Sequence, residues 1–460
     1  MDRFPDELLV KTLGHLDFKD VATMRRVNKR FAEVGAEVLV RRVRFHFTKE
    51  SLTRLKDIAN HPVLSKNVES VVYEGNILAN VACIHAYAAH YDLDHHHLDH
   101  PAPPSDDASD RESRLYARNM SKFANEISAR FDNYRNLFQA QQELIEAPDL
   151  PTSLPHFPKL KKVVLFTVGR CKHVLSDRFL KAFATGCAMP VEHDTYYSKG
   201  QLKFLLFRHG RPVTTLEHLE AHVVSPKFFT GFLPRESLCQ VFANLRVIEL
   251  RLRLEKDHHR DLDLTTVERC YSGLSKGILR DCLASATKLE KLTVNFEDYG
   301  FYGPCTNLKN VLGDHSWPNL TALDIDCMSA TQDQLITILT RQPALRDLRL
   351  GFFVLTAGKW TDTTRQMQTK LKLDMFCPTG LLEDPDCMYP MSLIQKSTYL
   401  LNFARLTMAD ALSFFVTELN SNDDYHPLED ESFADPELLR DEFGPFSDSE
   451  SEDDDPMDCD

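Results

Sequence analysis

Leu320-Thr321-Ala322-Leu323-Asp324-Ile325 and Leu345-Arg346-Asp347-Leu348-Arg349-Leu350 carry one apolar pattern, Leu-x-x-Leu-x-Leu, twenty-five residues apart. With apolar substitutes allowed, the pattern also occurs at Leu160-Val163-Leu165, Leu216-Leu219-Ala221, Leu245-Ile248-Leu250 and Leu289-Leu292-Val294. A degenerate seventh copy is expected to end at Leu371-Lys372-Leu373. Successive copies lie 56, 29, 44, 31 and 25 residues apart. The last two apolar residues of each copy alternate, as in a short strand with one face on a core. An apolar helical segment precedes two of the copies, with Leu283 six residues before Leu289 and Leu339 six before Leu345. A strand backed by a helix cannot bury both sides alone, so the units must stack. The expected fold class is α/β: a solenoid of parallel strands over 157–421, with long gaps taken up by inserted loops such as 173–215 or by copies that the pattern does not reveal.

The short spacings match the unit of about 20–29 residues found in leucine-rich repeats, and the chain resembles an irregular member of that class. Upstream, residues 1–48 read as three short helices. Pro5 suits a first helical turn, with Asp6 and Glu7 favourable at its positive end. Leu8, Leu9, Leu13 and Leu16 follow at helical spacing, Asp17 can cap a second helix carrying Val21, Met24 and Val27, and Asn28 a third carrying Phe31, Val34, Val38 and Leu39. Such short helices are marginal alone and must pack on each other or on a partner.

Between these regions, 49–156 reads as a helical spacer. Its polar stretch at 92–114, rich in Pro, Asp and Ser, reads as a mobile loop. Met120, Phe123, Ile127, Phe131, Tyr134, Phe138 and Ile145 then follow helical steps, with one slot held by Gln141, which predicts a helix of about seven turns or a helical pair with one buried face. The end of the chain, 422–460, is acidic. Residues 423–460 hold 17 acidic residues against Arg440 alone, so of a net charge of −14 the remainder carries about +2. Self-repulsion predicts a disordered tail. The folded part has no basic excess of the kind that nucleic acid requires.

The 460 residues suggest two to four domains, and 43% hydrophobic residues can build sizeable cores. No apolar run approaches the length that spans a bilayer, and Met1–Glu7 lacks the basic-then-apolar order of a signal peptide. The 11 cysteines are odd in number and scattered, which fits reduced thiols used as small buried hydrophobes. The expected location is cytoplasmic, nuclear or both.

The run Phe4-Pro5-Asp6-Glu7-Leu8-Leu9, then Leu13 and Leu16, then Asp20-Val21, then Val27-Asn28-Lys29-Arg30-Phe31 resembles the F-box in order and spacing. It departs from the family pattern at Phe4, Thr12 and Asp17-Phe18. The resemblance covers about 40 residues. With the repeats and the acidic tail behind it, the layout is similar to that of fungal F-box proteins. The resemblance implies a non-catalytic substrate receptor of a Skp–cullin–F-box ubiquitin ligase, acting in protein degradation. The F-box would bind the Skp adaptor, and through it the cullin, while the repeats bind a protein target that the sequence does not name. Adaptor contacts carry over to Phe4, Pro5, Leu8, Leu9, Leu13, Leu16, Val21 and Val27, with Pro5, Leu8 and Leu9 foremost. An alternative is an F-box scaffold acting outside ubiquitination.

Three further motifs stand apart from this layout. Gly273-Leu274-Ser275-Lys276-Gly277 matches Gly-x-Ser-x-Gly, the elbow of a serine hydrolase, but that elbow needs a buried strand before it and the lead-in is polar. A hydrolase using Ser275 is a distant alternative, and no catalytic residue, metal ligand or cofactor is expected. His90, His95, His96, His97 and His100, with Asp92, Asp94 and Asp99, lie in the expected loop and lack the fixed spacing of a structural zinc site. Ser447, Ser449 and Ser451 each precede an acidic residue by three positions and are candidates for phosphorylation by an acidophilic kinase.

Overall fold

The computed structural model describes residues 5–16, 18–75, 77–78, 80–87, 109–146, 153–166, 191–192, 195–253, 264–297, 306–385, 391–393 and 408–417. Three helices open the chain: α1 (Asp6–Leu13), α2 (Phe18–Met24) and α3 (Lys29–Leu39). Nine strands then form one ladder in chain order: β1 (Arg42–His46), β2 (Ser70–Glu74), β3 (Lys162–Phe166), β4 (His218–Val224), β5 (Val247–Arg253), β6 (Lys291–Glu297), β7 (Ala322–Asp326), β8 (Asp347–Ala357) and β9 (Met375–Glu383). Each pairs in parallel with the next. Strand order that follows chain order in a parallel sheet is the topology of a solenoid, in which each unit contacts its neighbours.

The register shows why the apolar pattern specifies this sheet. One column of partners runs Val43, Val71, Val163, Leu219, Ile248, Leu292, Leu323, Leu348 and Phe376. None of these side chains is more than 5% exposed. The apolar residue three positions earlier is buried in every unit from Val68 to Leu373, and Val40 packs partly buried against the same core. Helices such as Ile278–Ser285 and Gln332–Thr340 precede β6 and β8 and bury Leu283 and Leu339 at the six-residue offset seen in the sequence. Trp317 ties one unit to another, its indole N–H donating to the Leu283 carbonyl at 3.1 Å.

The last unit is displaced from its expected place. Leu373 is the first residue of that copy, and Phe376 and Pro378 complete it, because Leu348 pairs with Phe376 and Leu350 with Pro378. Proline is tolerated here because β9 ends the parallel run. Two strands of the ladder also lie upstream of residue 157. Val40-x-x-Val43-x-Phe45 and Val68-x-x-Val71-x-Tyr73 follow the same pattern without leucine, so a reading keyed to leucine passes over them. The spacer region 49–156 thus contains a repeat strand, β2, as well as helix.

The amphipathic stretch is one helix, Asp110–Glu146, and not a pair. It begins at the loop expected over 92–114: residues 110–114 are helical, Ser109 and Glu112 cap one another, and 92–108 lie outside the described residues. Ile127, Phe131 and Tyr134 bury its second half against Leu78 and Tyr87. Gln141, placed in an apolar slot, is 5% exposed and accepts from the Leu78 N–H at 2.7 Å while donating to the Phe47 carbonyl at 3.3 Å. The polar residue satisfies two backbone groups at the edge of the ladder, which no apolar side chain could do. The acidic tail lies outside the described residues.

Candidate functional site

The N-terminal helices form their own small core of Leu9, Leu13, Val21, Phe31 and Val34. Pro5 precedes α1, and its carbonyl accepts from the N–H groups of Leu8 and Leu9 at 3.1 and 3.2 Å. Asn28 caps α3, its side-chain oxygen accepting from the Phe31 N–H at 2.8 Å. Asp6 on α1 pairs with Arg30 on α3 at 2.8 Å, and Arg25 donates to the Ala32 carbonyl at 3.1 Å. α2 and α3 approach so closely that a Cβ on Gly35 would meet the Arg25 side chain at 2.5 Å.

This packing sorts the candidates. Leu9, Leu13 and Val21 are buried inside the trio. Pro5 is exposed, and Leu8, Leu16 and Val27 are 46%, 38% and 63% exposed. Leu8 and Leu9 are adjacent in sequence and fall on different faces of α1, one exposed and one buried. Phe4 lies outside the described residues. Thr12 is exposed, and its hydroxyl donates to the Leu8 carbonyl at 2.8 Å.

Residues 1–35 match the F-box domain family. The match includes every residue from Phe4 to Val27 that the sequence pattern singles out, and it ends within α3. No curated protein matches the chain. The F-box therefore accounts for the first three helices, and the parallel repeat-like sheet behind it stands on its own geometry.

A second surface lies on that sheet. Strand alternation turns Lys162, Glu220, Glu249, Asp324 and Arg349 to the side away from the apolar columns. Lys162 and His218 both reach the Glu220 carboxylate, at 2.7 and 2.9 Å. The bond from His218, with help from Lys162, holds that carboxyl down at about 2. Arg251 pairs with Glu249 at 3.0 Å, and His222 lies 3.6 Å from the same group. Burial pushes Asp324 and Asp326 above the usual carboxylate range and His222 below the usual imidazole range. The face is thus a field of paired charges, acidic towards β7.

Gly-x-Ser-x-Gly does not form a hydrolase elbow. Gly273 and Ser275 lie in the helix Leu264–Ser275, Ser275 Oγ donates to the Ser272 carbonyl at 2.7 Å, and Gly277 sits at φ 80° before the next helix. A helix, not a strand, leads into the serine. Among the described residues, no three His, Cys, Asp or Glu side chains gather as a metal site, and no helix is long and apolar enough to cross a membrane. The histidine run from His90 to His100 and the serines Ser447, Ser449 and Ser451 lie outside the described residues.

The sequence reading missed a column at the leading edge of the ladder. In the first six units the residue after the first apolar position runs Arg41, Glu69, Lys161, Glu217, Arg246 and Glu290, alternating in charge until Thr321 interrupts the series. Each backbone N–H donates to the carbonyl of the residue before it in this series at 2.8–2.9 Å. Lys161 pairs with Glu217 at 2.9 Å, and Arg246 pairs with Glu290. The signal was legible as a sign change at the second position of successive copies from Lys161 to Glu290.

Proposed function

We propose that the chain is a non-catalytic substrate receptor of a Skp–cullin–F-box ubiquitin ligase. The match of residues 1–35 to the F-box carries this reading. In it the adaptor packs on the side chains the helical trio leaves outside, Pro5, Leu8, Leu16 and Val27, while Leu9, Leu13 and Val21 hold the trio's shape. The cullin is reached through the adaptor. The repeat sheet presents its charged face and inserted loops to a protein target, as stacked repeats commonly do. The chain then acts by proximity, raising the effective concentration of a target lysine near activated ubiquitin. The division that goes with this reading is an F-box trio of helices within 1–48, a repeat ladder that begins with β1 in that segment, takes in β2 within 49–156 and continues to β9 within 157–421, and a tail at 422–460, in the cytoplasm, the nucleus or both.

The test is co-purification with a Skp-type adaptor, comparing wild type with Leu8→Asp/Val27→Asp. The two substitutions place ions in an apolar interface and leave the buried trio untouched. Loss of adaptor from a variant that keeps its helical circular dichroism supports the reading. An adaptor that remains bound, or fails to bind wild type, overturns it.

A further inference from the structure

The helices Arg235–Phe242 and Ile278–Ser285 belong to neighbouring units, ahead of β5 and β6. Three contacts run along their interface. Arg235 pairs with Asp281 at one end. At the other, Ser285 Oγ donates to the carbonyls of Cys239 at 2.9 Å and Cys282 at 2.6 Å. A serine side chain is one carbon long, so its bond to the Cys239 carbonyl brings the two backbones into close approach at this level. Between these contacts the Cys239 and Cys282 thiols meet in a side-chain hydrogen bond. Cys282 is fully buried and Cys239 half-buried. One hydroxyl thus bridges the Cys239 and Cys282 carbonyls, and backbones that approach closely are the first requirement of a disulfide between two elements.

The two thiols are not equivalent. The hydrogen bond from Cys282 holds the Cys239 thiol down at about 7 against the opposing effect of burial. The same bond, with burial, pushes Cys282 far up. A half-exposed thiol that ionises near neutrality, beside a second thiol, is the arrangement in which oxidation stops at a disulfide.

We propose that Cys239 and Cys282 form a peroxide-oxidisable dithiol that covalently staples two neighbouring units of the sheet. In the first step the Cys239 thiolate attacks one oxygen of hydrogen peroxide. The O–O bond breaks, hydroxide leaves and takes a proton from solvent, and Cys239 becomes a sulfenic acid. In the second step the Cys282 sulfur attacks the Cys239 sulfur. The S–O bond breaks, the S–S bond forms, and the hydroxyl leaves with the Cys282 proton as water. Two thiols lose two electrons, and one peroxide becomes two waters. The bond closes the chain between positions 239 and 282, a loop of about 43 residues, which restricts the unfolded state.

The experiment uses the full, reduced chain. It is treated with hydrogen peroxide, blocked with an alkylating reagent and digested by trypsin without reduction. The expected product is the peptide Glu236–Arg246 joined to Asp281–Lys288, abolished by dithiothreitol, with a higher melting temperature for the oxidised protein. In Cys282→Ala, Cys239 is expected to stall as a sulfenic acid that dimedone captures. Both peptides recovered as alkylated free thiols, or Cys239 oxidised in wild type without Cys282 as its partner, would overturn the proposal. The wild-type result stands without either variant, and circular dichroism of Cys282→Ala shows whether its dimedone result comes from folded protein.

Discussion

Leu8 and Leu9 show how one residue of chain separates two roles. A helix turns about 100° per residue, so adjacent leucines cannot share a face. Leu9 is 6% exposed and Leu13 1%, and removing either leaves a hole in a small core. Leu13→Ala is expected to destabilise the F-box by about 2–5 kcal/mol, measured by urea denaturation. Leu8→Asp should leave stability within about 0.5 kcal/mol, since it sits at an exposed position, and should weaken adaptor capture at least tenfold in a titration. Equal loss of stability in both variants would contradict this division.

His46 and Glu220 contribute to the chain's response to acid, alongside other shifted groups such as His222. Burial holds the His46 imidazole down at about 4, against 6.5 in a free chain. Between those values the unfolded chain takes up a proton that the folded one refuses, so stability falls as pH drops from 6.5 to 4. Glu220 is held at about 2 against 4.5, so its contribution is intact above 4.5 and is lost as pH falls towards 2. His46→Gln is expected to flatten the fall in melting temperature between pH 6.5 and 4 and leave the drop below 4.5 due to Glu220 in place. An unchanged profile would mean that the imidazole is not shielded.

At the scale of the element, the helix Asp110–Glu146 depends on a residue that breaks its own pattern. Gln141→Leu keeps the volume and improves the apolar face, yet strands the Leu78 N–H and the Phe47 carbonyl. An unmade buried bond costs about 1–3 kcal/mol, and hydrogen exchange should show the helix opening more readily. Greater protection in the variant would show that apolar burial outweighs the two bonds. The charged column at the leading edge acts between elements. The Arg246–Glu290 pair is roughly half exposed, so its coupling should reach at most about 1 kcal/mol. Its alternation nonetheless disfavours slipped stacking, because a shift by one unit sets like charges opposite each other. Arg246→Glu is expected to destabilise, and adding Glu290→Arg to restore part of the loss in a double-mutant cycle. No restoration would mean the column is decoration on the backbone bonds.

For the whole molecule, the ladder must close at its last strand. β9 is followed by an antiparallel strand, Met391–Leu393, and the helix Met408–Thr417 buries Leu412, Phe415 and Val416. Ending the chain at 421 should leave the melting temperature unchanged if the acidic tail takes no part in the fold. Ending it at 404 removes that helix and should bring aggregation, read by light scattering, because its apolar partners become exposed. Identical behaviour of both truncations would show that the cover is dispensable.

The sequence by itself determined the phase of each strand from β3 to β8, the helix offset behind Leu289 and Leu345, and the F-box signature, because these are periodicities within a few residues of chain. Apolarity states that a side chain will be buried but not against what. Only tertiary structure decided that Leu9 turns into the helical trio while Leu8 stays outside, and that Gln141 serves two backbone groups far away in sequence. It also decided that the sheet begins at β1, since Ser70 pairs with Lys162 across 92 residues. It brought Cys239 against Cys282 as well. Pairing over such distances depends on the packing of whole units, which no local pattern encodes.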